Sequence, residues 1–581
     1  MRIKEKFEQW INYAELDLEL KQQLEQIRNQ PQEIENMFYK YLEFGTGGIR
    51  GELGPGTNRL NIYMIRKSTE GLARYIEIKG EHALKRGVVI AYDSRHKSYE
   101  FALEVAKTLG HHRIKSFLFE SLRPTPVLSF AVRELGAYAG IVITASHNPP
   151  EYNGFKVYGP DGGQITPLMA DEIIKHVDSV EEELFIEVST EESLLSSGLL
   201  EYIGKEVDDA YQENLISIRQ NHLNINSVAD TMKIVFTPLH GTSNIPVRRG
   251  LQSFGFKHVY VVKEQELPDP NFSTIESPNP EEHAAFKLAI EYGEKIGADI
   301  LLGTDPDTDR LGVVARNNRG EYQVLTGNQM GAIMLHYILN QKKSNGTLPT
   351  NGIVLKTIVT SELGRIIARS FGVETIDTLT GFKYIGEKIQ EYSRTGEYKF
   401  IFGYEESYGY LIDEFVRDKD AIQASVLAAE VAAYYKAQGK TLYDGLNEIF
   451  QQYGYYQEGL KSITLKGRSG AEIISNILSR FRSAPPNKIG GLTLKLIEDY
   501  QLSERINCVD QTRELILLPK SNVLKYYLSD GSWFCVRPSG TEPKVKFYFG
   551  VKDISVDEAC EKLLKVENDL MEFVNNIIDH S

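Results

Sequence analysis

Short apolar runs, separated by stretches of helical period, organise most of this chain. Gly87-Val-Val-Ile-Ala-Tyr, Ala139-Gly-Ile-Val-Ile-Thr, Met232-Lys-Ile-Val-Phe, Ala298-Asp-Ile-Leu-Leu-Gly, Gly352-Ile-Val-Leu-Lys and Lys399-Phe-Ile-Phe-Gly are of this kind. Runs of about four to six apolar residues that end in Gly, Ser, Asp or Pro suit strands buried in parallel or mixed sheets. Segments such as 100–109 and 282–296 follow them with helical period. Repeated strand-then-helix units predict an α/β protein, in which functional loops lie beyond the carboxyl ends of the strands. Residues 1–40 are predicted to be surface-exposed helix, since charged residues separate scattered Leu, Ile and Phe.

The chain has 581 residues, which at about 150 residues per domain suggests four domains. The Glu/Ser-rich stretch 179–197, a change near 323 and the Tyr/Gln-rich 451–457 place expected boundaries at 1–204, 205–323, 324–455 and 456–581. With 41% hydrophobic and 25% charged residues, the composition excludes disordered, collagen-like and disulfide-scaffold proteins. The net charge of −15 repels nucleic acid and anionic lipid. An anionic substrate therefore requires basic groups gathered locally. Cys508, Cys535 and Cys560 fit no zinc spacing, and their odd number argues against a disulfide framework. The N-terminus lacks the apolar core of a signal peptide, and no apolar stretch approaches the roughly 18 residues that span a bilayer. A soluble cytoplasmic protein is expected.

Several loops carry candidate chemistry. Thr144-Ala-Ser-His-Asn-Pro-Pro follows a strand-like run, so Ser146 sits at a strand end with His147 beside it. Pro149 and Pro150 stop a helix from absorbing the loop, although caps and turns use the same residue types. Lys156 follows closely enough to return a positive charge to the loop. Gly303-Thr-Asp-Pro-Asp-Thr-Asp-Arg alternates Asp305, Asp307 and Asp309, and an extended loop converges them on one hard cation. An EF-hand needs Gly and Glu where this chain has Arg310 and Arg316, so calcium sensing fails. Magnesium fits, because it takes few protein carboxylates and completes its shell with water and phosphate oxygens.

Arg537-Pro-Ser-Gly-Thr-Glu-Pro-Lys offers a guanidinium fork for phosphate. Ser539, Gly540 and Thr541 beside it can turn hydroxyls and N–H groups inward as an anion nest; a surface hairpin turn explains them equally well. In Gly403-Tyr-Glu-Glu-Ser-Tyr-Gly-Tyr, Glu405 and Ser407 lie two apart, on one side of an extended segment. That spacing suits vicinal sugar hydroxyls, and an acidic turn fits as well. Phe44-Gly-Thr-Gly-Gly-Ile-Arg-Gly presents Arg50 but has neither the Walker lysine nor dinucleotide glycine spacing.

Taken together, these loops resemble the α-D-phosphohexomutase superfamily from about residue 40 to the C-terminus. The serine loop, the Asp-x-Asp-x-Asp-Arg loop, the Glu-x-Ser loop and the Arg-x-Ser-Gly-Thr-Glu-Pro loop follow in the family's order. The Gly-Tyr-Glu-Glu-Ser-Tyr-Gly version and the long helical N-terminus look most like a bacterial phosphoglucomutase branch related to phosphopentomutases. The resemblance implies four domains around a central cleft, three of related mixed α/β fold and a smaller C-terminal α+β domain. It implies a phosphorylated Ser146, with one Mg2+ held by Asp305, Asp307, Asp309 and the serine's own phosphate. Arg50, His147 and Lys156 are expected around the transferring group, with Arg310 in support. Gly381, Lys383, Glu405 and Ser407 are expected on the sugar, and Arg537, Ser539, Gly540 and Thr541 on the non-reacting phosphate. The implied reaction interconverts glucose 1-phosphate and glucose 6-phosphate through glucose 1,6-bisphosphate, which also serves as activator. Mannose and pentose phosphates remain open, and a metal-dependent phosphatase or a sugar-phosphate sensor is the alternative from another class. The expected partner is a small phosphorylated sugar, with no nucleic acid or membrane, and the chain a monomer or homodimer. Many family members carry a histidine where this chain has Gly409, which leaves Lys156 or a neighbour to move the proton.

Overall fold

The computed structural model describes residues 3–45, 47–465, 467–539 and 544–580. They form two compact units, Met1–Thr326 with Phe382–Phe402 and Ser407–Thr441, and Gly327–Gly381 with Gly403–Glu406 and Leu442–Ser581.

The first unit holds two sheets. One is built from β1 (Gly48–Glu52), β2 (Val88–Tyr92), β3 (Ser116–Phe119), β4 (Ala139–Ile143), β5 (Tyr152–Tyr158) and β6 (Leu200–Ile203), in the order β1-β5-β4-β2-β3-β6. The other contains β7 (Lys233–Thr237), β8 (His258–Val261), β9 (Ile300–Thr304), β10 (Leu311–Arg316) and β11 (Tyr322–Leu325), in the order β11-β10-β9-β7-β8. Every residue of β2, β4 and β9 is buried, as expected where helices cover both faces of a sheet.

The two sheets share one plan. Parallel β3-β2-β4 matches parallel β8-β7-β9, and in each sheet the third of these strands turns back into an antiparallel partner, β5 or β10. The serine loop is the β4–β5 connection and the aspartate loop the β9–β10 connection. Equivalent positions in two related sheets therefore carry the two candidate loops.

The N-terminal residues depart from the exposed helix expected of them. The helices Ile3–Ile11, Leu18–Ile27 and Pro31–Phe38 bury Phe7, Trp10, Ile11, Leu24 and Phe38 in a cluster with Tyr63 and Leu184. Lys6 is buried with them, 6% exposed. Glu183, completely buried, accepts hydrogen bonds from Trp10 Nε1 at 2.7 Å and from the Tyr41 hydroxyl at 2.9 Å, and pairs with Lys6 at 2.9 Å.

In the second unit β12 (Gly352–Thr357) pairs in parallel with β13 (Glu374–Thr378). Further along the chain, β14 (Lys399–Tyr404) and β15 (Tyr410–Leu411) flank the Glu405–Ser407 loop. An antiparallel sheet then joins β16 (Tyr455–Thr464), β17 (Lys488–Ile489), β18 (Leu492–Asp499), β19 (Glu504–Asn507), β20 (Arg513–Leu515), β21 (Leu524–Leu528), β22 (Trp533–Pro538) and β23 (Lys544–Asp553). The amphipathic helices Gly467–Ser483 and Val556–Asp579 supply Ile477, Phe481, Val566 and Leu570 to its core. Runs of strands with helices on one face make this the expected C-terminal α+β domain. Lys525 ties it to the β12 region: its ammonium donates to the Ile358 carbonyl at 2.6 Å and lies 4.4 Å from the Trp533 ring.

Candidate active site

Ser146 occupies the left-handed region with φ +53°, a conformation that costs a non-glycine residue about 1–3 kcal/mol and persists only where its surroundings enforce it. The enforcement is visible here. Its N–H donates to Thr144 Oγ1 at 2.8 Å, and that hydroxyl donates in turn to buried Asp93 at 2.6 Å. The result aims Ser146 Oγ at Asp305 Oδ2, 2.7 Å away, with His147 Nδ1 at 3.4 Å. Burial, with Arg310 and Arg50 nearby, drives the His147 pKa well below its ordinary value.

The aspartate loop is a turn, not the extended segment anticipated. Thr308 takes φ +61° and donates its N–H to the Asp305 carbonyl at 3.0 Å. Asp305 Oδ1 then accepts the N–H groups of Asp309 and Arg310, each at 3.0 Å. Convergence of the three carboxylates comes from this fold-back: oxygens of Asp305, Asp307 and Asp309 lie within 4.8 Å of one another, all buried. Neighbouring elements brace the turn, Thr125 at the start of the helix Thr125–Glu134 by donating to Asp307 Oδ2 at 3.0 Å and Thr242 to the Pro306 carbonyl at 2.9 Å.

Charge at the site is closely balanced. Lys156, delivered by β5, donates to Asp307 Oδ2 at 2.8 Å and lies 3.6 Å from Asp309. Lys419 reaches Asp309 Oδ2 at 2.8 Å. Burial, reinforced by Asp309 and Asp307, pushes Asp305 well above the ordinary carboxylate range. Burial opposes ionisation of Asp307 too, but the Lys156 ammonium overrides it and holds that carboxyl below its usual value. For Asp309, Lys419, Lys156 and Arg310 outweigh burial and Asp307 with the same net direction. Asp307 Oδ1 and Asp309 Oδ1 are buried with no hydrogen-bond partner. Orphaned carboxylate oxygens in a buried triad fit a hard divalent cation.

Of the residues expected at the site, Arg50 arrives on β1, whose pairing with β5 sets it opposite Gly154, and it donates to Asn148 Oδ1 in the serine loop at 2.9 Å. The Arg310 guanidinium pairs with Glu281. Lys383 lines a pocket of about 210 Å³ with Asp161, Gln164, Met169 and Glu387. Ser407 is half-buried in the first unit. In the second unit, Gly381 takes φ +112° just before the helix Phe382–Thr395, and Glu405 is buried. There too, Ser539 donates its N–H to the Lys544 carbonyl at 2.7 Å, and Arg537 hydrogen-bonds Tyr548. Gly540 and Thr541 lie outside the described residues.

Sequence reasoning missed Asp93, Arg95, Thr125, Thr242 and Lys419. For Lys419 a signal existed: Asp420 caps the helix Ala421–Ala437, and an acidic cap ahead of an apolar run is readable. It marks Lys419 as a pre-helix loop residue. Arg95 and Thr242 act on backbone carbonyls, which leave no pattern, and Asp93 and Thr125 bond side chains far along the chain.

Four family models match in succession: phosphoglucomutase/phosphomannomutase alpha/beta/alpha domains I, II and III over residues 41–184, 209–320 and 326–453, and the C-terminal domain over 498–563. A phosphoglucomutase of Staphylococcus aureus strain USA300 is 41% identical over 526 residues, 90% of this chain and 92% of that protein. The open form of Paramecium pp63/parafusin shares the fold at TM-score 0.67 and 17% identity, over 93% of this chain and 96% of that one. A Burkholderia thailandensis phosphoglucomutase/phosphomannomutase family protein does so at TM-score 0.63 and 18% identity, over 92% and 97%. With serine and aspartate loops meeting as described and all four domain types matched in order, the chain is an enzyme of the phosphoglucomutase/phosphomannomutase family, within the α-D-phosphohexomutase superfamily.

Proposed function

We propose that the chain interconverts α-D-glucose 1-phosphate and glucose 6-phosphate, with Ser146 as the phosphoryl carrier and glucose 1,6-bisphosphate as intermediate. The observation that carries this is Ser146 Oγ, 2.7 Å from Asp305 beside the orphaned oxygens of Asp307 and Asp309. Relatives named phosphoglucomutase at 41% identity support glucose as the sugar. Asp305, Asp307 and Asp309, with an oxygen on Ser146, would hold one Mg2+, which when bound neutralises charge on the transferring phosphoryl oxygens.

From phosphorylated Ser146, a free sugar hydroxyl attacks phosphorus, the P–Oγ bond breaks, and the proton of the attacking hydroxyl ends on the serine side. Lys156, or a neighbour such as Lys419, would carry that proton, because Gly409 stands where the family resemblance implies a histidine. Arg50 and His147 flank the reacting serine, with Arg310 behind it. Gly381, Lys383, Glu405 and Ser407 orient the sugar, and Arg537, Ser539, Gly540 and Thr541 grip the other phosphate. The bisphosphate turns over between the two transfers, so the grip must accept either end. We further propose domain limits of 1–204, 205–323, 324–455 and 456–581, and a cytoplasmic monomer or homodimer. No described helix is long and apolar enough to cross a membrane.

Coupled assays with the 1-phosphates of glucose, mannose and ribose test the reading. The highest kcat/KM should fall on glucose 1-phosphate, and Ser146→Ala should abolish turnover. Preference for ribose 1-phosphate, or phosphate release without isomerised sugar, overturns it.

A further inference from the structure

Arg95 lies in the β2-to-helix connection, and no part of the proposed chemistry uses it. Arg95 is 3% exposed, and apart from Asp93 Oδ2, 3.4 Å from Nε, its guanidinium faces backbone oxygens. Nη2 donates to the carbonyls of Ser146, at 2.6 Å, and of Asn148. Nη1 donates to those of Pro149 and Tyr152, at 2.7 and 3.0 Å. One side chain thus gathers four carbonyls from the whole span of the serine loop. A planar fork with fixed donors can satisfy them together; an ammonium, a point donor, cannot span them.

Asp93 completes the cradle. Its carboxylate accepts the backbone N–H of Arg95 at 3.0 Å, the Ser98 hydroxyl at 2.8 Å and the Thr144 hydroxyl at 2.6 Å. Thr144 then fixes the Ser146 N–H, and Ser98 accepts from Asn153 at 2.9 Å. The guanidinium also stacks over Phe272 with 5.0 Å to the ring centre, and neighbouring His96 meets Asn271 at 2.8 Å. Both partners belong to the loop after β8, in the same unit as the aspartate loop.

From this geometry we infer that Arg95 is a positioning residue for the reacting serine: it folds the serine loop around its guanidinium, fixing Ser146 in its left-handed conformation and aligning it with the aspartates. The inference rests on Ser146 as the phosphoryl carrier.

The test uses wild-type protein, Arg95→Lys and Arg95→Ala. Glucose 1,6-bisphosphate is mixed with dephosphorylated protein, and phosphate arriving on Ser146 is followed by quenched intact-mass measurement beside steady-state kinetics. A misplaced reacting atom predicts phosphorylation and kcat both about a hundredfold slower in each variant, with KM for glucose 1-phosphate within about twofold of wild type. Added guanidinium should restore part of the rate to Arg95→Ala, whose cavity is open, but not to Arg95→Lys. Wild-type phosphorylation rates in Arg95→Lys overturn the inference, as does loss in Arg95→Ala that guanidinium leaves unchanged. If Arg95→Ala does not fold, the Arg95→Lys rate decides alone. Absence of phosphate on wild-type Ser146 would instead defeat the reading of the serine on which the inference stands.

Discussion

One imidazole between two carboxylates sets a pH dependence of stability at His112. Nε2 lies 2.7 Å from Glu70 and Nδ1 2.9 Å from Glu77. The hydrogen bond to Glu70, opposed by burial and aided by Glu77, raises the imidazole pKa above its ordinary 6.5. Burial pushes Glu70 up, but His112 and Arg74 bring it below its ordinary 4.5. A group whose folded pKa is raised stabilises fully below its unfolded value, and that contribution is lost as pH climbs through the folded one. Glu70 behaves inversely: its share is present above 4.5 and lost as pH falls through its depressed value. His112→Gln should therefore cost most where both partners are charged, about 1 kcal/mol near pH 6, and least above about pH 9. Urea midpoints at the two pH values check this, and an equal deficit at both would show that charge plays no part.

The β9–β10 turn is shaped by the loop after β7. Gly241 packs so closely that a Cβ there would meet Pro306 Cα at 2.4 Å and its carbonyl oxygen at 2.6 Å. Pro306 sits between Asp305 and Asp307, so Gly241→Ala must displace the backbone that joins the two carboxylates. Supporting-shell changes of this kind typically weaken metal binding about tenfold to a hundredfold. A magnesium titration of activity should move by that order while the thermal transition stays cooperative; an unchanged titration would mean the turn keeps its shape without this contact. Elements like β2, β4 and β9 were legible in the chain because strands covered on both faces are written as unbroken apolar runs. The order of loops was legible too, since hydroxyl, carboxylate and guanidinium clusters stand out beside such runs. The fold-back at Thr308 was not: alternating Asp-x-Asp reads as extended, and only the hydrogen bonds to Asp305 reveal the turn. Arg95 was hidden, and for Lys419 the chain showed a place before a helix but not its partner. One binds carbonyls, which every residue carries, and the other meets a carboxylate far along the chain.

At the scale of the whole molecule, the first forty residues lie ahead of the family match, which begins at residue 41, yet they are not an appendage. Glu183, near the far end of that match, receives Trp10, Lys6 and Tyr41 together, so the segment is pinned to the connection between β5 and β6. The scattered Leu, Ile and Phe that suggested an exposed helix give no hint of this, because a buried carboxylate and its donors come from distant stretches. Glu183 is 0% and Lys6 6% exposed, and removing one partner of a buried pair leaves the other uncompensated, at about 3–5 kcal/mol. That is a large share of the roughly 5–15 kcal/mol that holds a typical native protein together. Glu183→Ala should therefore lower the urea midpoint strongly, and Glu183→Gln less, since an amide oxygen still accepts from Trp10 but cannot neutralise Lys6. With Trp533→Phe as background, Trp10 is the sole tryptophan, and its fluorescence should shift red ahead of the loss of helical circular dichroism. Coincident transitions at an unshifted midpoint would mean that the apolar cluster around Phe7, Phe38 and Tyr63 holds the segment alone, with the buried charge contributing register and not stability.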